Sequence, residues 1–144
     1  MFGSKDKHAA VSGPVEAANA ALRAEVERLQ ALPMTQLAAE VMARGFGPGG
    51  YLPSIVDRKQ PALVAAYVSD IAQMFEPKGA RDADLYYRLC AMVGEGVQVL
   101  EHASLIWARR VSESSGVGYV PTRRGQAALE AGAVEQTLRG ADAL

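Results

Sequence analysis

The chain has 144 residues, 49% of them apolar and 22% charged, and fifteen Lys and Arg against sixteen Asp and Glu leave a net charge of −1. That length fits one domain able to bury a core without disulfide or metal staples, and the charge balance provides no global basic field for nucleic acid. A single cysteine, Cys90, and two histidines, His8 and His102, exclude an internal disulfide and a Cys₂ or Cys₄ zinc site. They leave little for metal binding or nucleophile–base pairs, so no metal, no cofactor and no enzymatic activity are expected.

Residues 1–14 are polar and end in Ser12-Gly13-Pro14, which reads as a flexible tail. Ser12, Gly13, Pro14, Glu16 and Asn19 interrupt the stretch that a signal peptide would need apolar. Phe2 stands where myristoylation requires glycine, and no apolar run approaches the length of a membrane span. A cytoplasmic protein with no membrane partner is expected.

Residues 15–32 form an amphipathic helix of Ala, Glu, Arg and Leu. Val15, Asn19, Leu22, Val26 and Leu29 repeat at alternating spacings of four and three, the pattern of a heptad seam with Asn19 at an a position. Two readings are open: a dimeric coiled coil joined along these five residues, or a helix laid on its own domain. Residues 33–140 read as a single helical domain. Pro33 separates the first helix from a second whose face is Met34, Leu37, Ala38, Val41 and Met42, closed by Gly45 at its C-terminus. The stretch from Gly45 to Pro53 reads as an irregular loop displaying Phe46, Tyr51 and Leu52. Its glycines lack the Gly-Lys-Ser/Thr ending of a phosphate loop. Phe46 and Tyr51 either pin this loop to the core or anchor a partner. A third helix opens at Pro61 and carries Val64, Tyr67, Val68, Ile71, Met74 and Phe75.

Asp82 is placed to cap the next helix, whose face is Leu85, Leu89, Met92, Val93, Val97 and Leu100. Gly94 and Gly96 make it either one helix with a weak middle or two that meet there. Leu105 to Val111 suits a strand, Ser112 to Gly116 a hairpin tip and Val117 to Val120 the return strand. Ile106 and Trp107 face opposite ways along such a strand, so one of them is exposed or covered by another element, and Trp107 is an interface candidate. Pro121-Thr122 starts a final helix through Ala128, Leu129, Ala133 and Val134.

Two short segments carry a resemblance. Val99-Leu100-Glu101-His102-Ala103-Ser104-Leu105-Ile106 looks like a recognition helix running into a wing strand. Tyr119-Val120-Pro121-Thr122-Arg123-Arg124-Gly125-Gln126-Ala127-Ala128-Leu129 is similar to the segment in which a second wing strand enters a threonine-capped helix. Residues 82–134 thus resemble the C-terminal part of winged helix-turn-helix regulators of the multiple-antibiotic-resistance and phenolic-acid (MarR/PadR) types, with Ser104 where those have glycine and Pro121 where an aliphatic residue is usual. The resemblance implies a mainly α fold, with a helical N-terminal half followed by a winged-helix-like helix-turn-helix and a β-hairpin wing.

Such a fold can read DNA, but charge is unevenly placed. Asp82, Asp84, Glu95 and Glu101 against Arg88 leave residues 82–103 at −3, with Gln98 the one obvious base reader. Arg109, Arg110, Arg123 and Arg124 against Glu113 leave residues 104–125 at +3. An anionic recognition helix opposes phosphate contact. The expected function is therefore a regulatory or interaction module acting through a protein partner or a homodimer. The alternative is a DNA-binding transcriptional regulator using the arginine-rich wing, with Arg109, Arg110, Arg123, Arg124 and Gln98 on DNA. A small-molecule-responsive regulator would need a pocket among Met34, Met42, Met74, Phe75 and Met92.

Overall fold

The computed structural model describes residues 2–56, 64–110 and 116–142, with side chains over 13–56, 64–110 and 116–140. Its elements in chain order are α1 (Phe2–Ala31), α2 (Met34–Phe46), α3 (Tyr51–Val56), α4 (Val68–Gln73), α5 (Ala83–His102), β1 (Ile106–Arg110), β2 (Val117–Pro121), α6 (Arg123–Glu130) and α7 (Val134–Asp142). The chain is mainly helical, with a small antiparallel hairpin toward its C-terminus.

The apolar periodicity explains the assembly. Leu37, Ala38, Val41 and Met42 of α2 face Leu85, Leu89, Val93, Val97 and Leu100 of α5 in one buried cluster. The helices approach closely because position 96 is glycine: a Cβ there would stand 2.7 Å from Val41 Cγ2. α5 is one continuous helix, so no break occurs at Gly94-Glu95-Gly96. Asp82 caps it as expected, its Oδ1 accepting the Leu85 N–H at 3.1 Å.

Helix α1 corrects the dimer reading of its seam. Leu22, Val26 and Leu29 are wholly buried in the chain's own core, and a side chain with no accessible surface has none left for a second copy. Heptad spacing and the spacing of an intramolecular face coincide over two heptads, which is why the sequence left both open. Asn19 is no coiled-coil register device either: its Oδ1 accepts the N–H groups of Arg81 at 2.7 Å and Asp82 at 3.1 Å, just before α5. Val15 is half-buried. The helix itself begins at Phe2 and so takes in the stretch read as a tail. Arg28 joins α1 to α2 by donating to both carboxylate oxygens of Glu40, at 2.8 and 2.9 Å.

Other expectations also shift. α2 runs through Phe46, and Gly45 lies buried in its last turn, where a Cβ would come within 3.1 Å of Ile71 Cδ1. Phe46 is buried and Tyr51 half-buried, so both pin the connection to the core and neither is a displayed anchor. Tyr51, Leu52 and Pro53 open the short helix α3, where proline in the first turn forfeits no helical hydrogen bond. The start at Pro61 lies outside the described residues, but Val64, Ala65 and Ala66 are buried outside any helix, and Ala66 pairs with Tyr119. The helix beyond them is only α4, whose Asp70 carboxylate accepts the Tyr67 N–H at 3.1 Å. The expected final helix is two, because Gly132, at φ 63°, ends α6 in a left-handed turn with Ala133 N–H bonded to Ala128 O at 2.9 Å.

The hairpin is held to the domain at its base. Thr122 Oγ1 accepts the Gly125 N–H at 2.9 Å and donates to Ser104 O at 2.7 Å. Ser104 adopts a left-handed backbone, φ 63°, a conformation that favours glycine. The first turn of α6 is pressed onto the chain ahead of β1: a Cβ at Gly125 would stand 1.9 Å from Leu105 O.

Two glycines should therefore respond oppositely to alanine. Gly125→Ala is expected to lose at least about 2 kcal/mol through overpacking against backbone. Gly94→Ala, with nothing within 4 Å of the added atom, should gain up to ~1 kcal/mol from helix propensity; denaturant titrations of both variants check this. The hydrogen bonds from Arg28 hold the Glu40 carboxyl below its ordinary 4.5, against a smaller opposing effect of burial. Folding thus favours the ionised form, and that contribution is complete above about pH 4.5 and lost as pH falls through the lower folded value. Glu40→Gln should flatten the decline of thermal stability below pH 4.5; the pair is exposed, so the change is at most about 1 kcal/mol.

Candidate functional site

The surface with most to offer is the hairpin and its base. β1 and β2 pair antiparallel with Trp107 opposite Val120, Ala108 opposite Tyr119 and Arg110 opposite Val117. Ala66 pairs on the far side of β2, so β2 is central and β1 lies at the edge. Ile106 is buried, whereas Trp107 keeps 50% of its surface and Val117 43%. Trp107 points to the sheet face opposite that of Ile106, and so escapes the burial that covers Ile106. Tyr119 is half-buried, and burial, helped by the charge of Glu101, raises its hydroxyl pKa above the ordinary value.

Arginines flank this sheet. Arg110 is exposed near the tip, and Arg123 and Arg124 are exposed in the first turn of α6. None of these three forms an ion pair with a described residue. Arg109 is half-buried and has interactions of its own within the chain. Residues 111–115, where the expected tip lies, are outside the described residues.

Helix α5 presents a different surface. Its exposed side chains include Asp84, Tyr87, Arg88, Glu95, Gln98 and Glu101, with Tyr87 70% exposed. Arg88, the one cation in this set, donates to Gln30 Oε1 at 3.0 Å and so is tied to α1. Gln98 does not join the hairpin arginines. It lines a groove of about 660 Å³ with Met34, Glu95, Val99, His102, Ala103 and Leu138.

The five residues of the small-molecule pocket idea are not gathered. Met42 and Phe75 belong to the core, Met74 and Met92 are half-buried, and only Met34, 44% exposed, lines that groove. A second hollow of about 720 Å³ lies at the start of α5, between Gln73, Lys78, Arg81 and Tyr86. Burial and a hydrogen bond with Cys90 raise the Tyr86 hydroxyl pKa. Among the described residues no three His, Cys, Asp or Glu side chains are grouped to hold a metal ion. No described helix is long and apolar enough to cross a membrane.

Sequence reasoning reached Trp107 through strand alternation and the arginines through local charge. It missed the bridge from Ala66 to β2, because three successive small apolar residues fit a buried helix face and a buried non-helical segment equally well. Compared with known proteins, the chain matches no family model, no curated protein and no solved structure.

Trp107 is the only tryptophan, so intrinsic fluorescence reads the hairpin directly. Its emission should be that of a water-exposed indole and should be quenched by iodide nearly as well as in the unfolded chain. A blue, unquenched emission would mean that the hairpin is covered.

Proposed function

We propose that this is a cytoplasmic, non-enzymatic, winged-helix-like module that acts by contacting another protein through its hairpin. The observation that carries this reading is Trp107, half exposed on an edge strand opposite Val120. Large aromatic side chains left in water on a rigid element are the usual anchors of protein contacts.

The winged-helix part of the reading is supported by the order of elements. A short non-helical segment precedes α4, α4 and α5 follow across a turn, and a hairpin then returns to pair with that first segment. The positive φ at Ser104, where the regulators that the sequence resembles carry glycine, fits the same turn. The helix pair would be α4 and α5, and not two halves of residues 82–103. The exposed side of α5 favours protein over DNA, since Asp84, Glu95 and Glu101 would meet phosphates with like charge.

A second reading, DNA contact by the wing, has one observation in its favour: Arg110, Arg123 and Arg124 are exposed and form no ion pair with a described residue. Two measurements separate the readings. Immobilised wild-type protein should retain a specific protein from a lysate of the native host, and Trp107→Ser should lose it while melting at an unchanged temperature. Binding to genomic DNA fragments at micromolar protein should be absent at both about 50 and 200 mM salt. DNA binding that weakens steeply across that range would move the function to the arginines.

A further inference from the structure

The register of the hairpin shows which backbone groups β1 has left to offer. Ala66 and Tyr119 exchange both of their backbone hydrogen bonds, at 2.9 and 2.8 Å. Tyr119 therefore directs its N–H and C=O toward the 64–66 segment, and Ala108, opposite it, directs its own away from β2. The Thr122 N–H to Leu105 O bond of 3.0 Å obeys the same alternation. Trp107 and Arg109 thus bond inward, and Ala108 and Arg110 point their amide and carbonyl groups outward. Both outward residues are exposed, and among the described residues no strand pairs with that side. Protein edges of this kind are normally blunted by proline, inward charge or a covering element.

We propose that the outer edge of β1 takes up an acidic, extended segment of a partner protein as an added strand, with Trp107 covering one of its side chains. The inference rests on the reading that the hairpin contacts protein, and it specifies the form of that contact. Backbone pairing supplies affinity in such additions, and alternate side chains supply selectivity. Charge selects the occupant. Arg110 stands exposed at the C-terminal end of β1. A second copy adding its own β1 would bring two more adjacent arginines, Arg109 and Arg110, to the same edge, so like charge disfavours self-pairing. An acidic segment meets opposite charge at Arg110.

The test uses the full chain and Trp107 fluorescence. The probes are a soluble nine-residue peptide alternating Glu and Val, its Lys–Val counterpart, the Glu–Val peptide methylated on alternate backbone nitrogens, and a single-stranded oligonucleotide of similar charge. The Glu–Val peptide should shift the emission to the blue and saturate. The methylated peptide should bind about tenfold more weakly or worse, since the strand bonds are removed and the charges kept. Ala108→Pro should have a similar effect with an unchanged circular dichroism spectrum, because the N–H it deletes pairs with nothing in the hairpin. Arg110→Glu should weaken binding and raise affinity for the Lys–Val peptide. Equal binding of the methylated and unmethylated peptides would overturn strand addition, as would a preference for Lys–Val or binding of the oligonucleotide alone. If Trp107→Ser loses the cellular partner while no peptide binds, strand addition falls and the hairpin contact stands. If Trp107→Ser retains the partner, both fall.

Discussion

The close crossing of α2 and α5 is the contact on which the other elements depend. At Gly96 the two helices approach until a single added carbon would run into Val41. That proximity lets the short aliphatic face of α2 fill the space beside Val93, Val97 and Leu100 without voids, and a packed interior tolerates little departure in either direction. α1 closes the cluster with Leu22, Val26 and Leu29, α4 adds Ile71 and Ala72, and α7 adds Leu138. The hairpin is then hung from the end of α5 through Leu105, whose amide bonds back to Leu100 O at 2.9 Å.

Features set by one or two residues were legible in the sequence. The Asp82 and Thr122 caps, the face of α2 and the hairpin depend on local chemistry, and local chemistry is what a sequence records directly. Features that depend on a neighbour were not. The seam from Val15 to Leu29 has the same spacing whether it meets a second copy or α5. Val64-Ala65-Ala66 stays outside the helix and Ala66 pairs with β2, which no helix-period argument sees. Gly96 reads as a helix weakness until Val41 is placed above it. Gly132 was visible as a residue, and its left-handed φ explains the division of α6 from α7 in retrospect.

The candidate surface shows the same division. Alternation along β1 was enough to set Trp107 against Ile106, and the structure places Ile106 inside and Trp107 outside. The near-neutral total charge conceals an acidic exposed side on α5 and a basic border on the hairpin. The reach of Gln98 into a separate groove, beside Met34 and Leu138, divides the residues that a DNA-reading arrangement would need together.

The bonds from Asn19 to the amides of Arg81 and Asp82 have a dynamic consequence. Those two N–H groups lie in a loop and would exchange freely with solvent if the loop stood alone. Their acceptor belongs to another element, sixty-two and sixty-three residues earlier in the chain. Exchange at these positions is therefore slowed for as long as Asn19 keeps its place, which makes them reporters of the contact between the first helix and the start of α5.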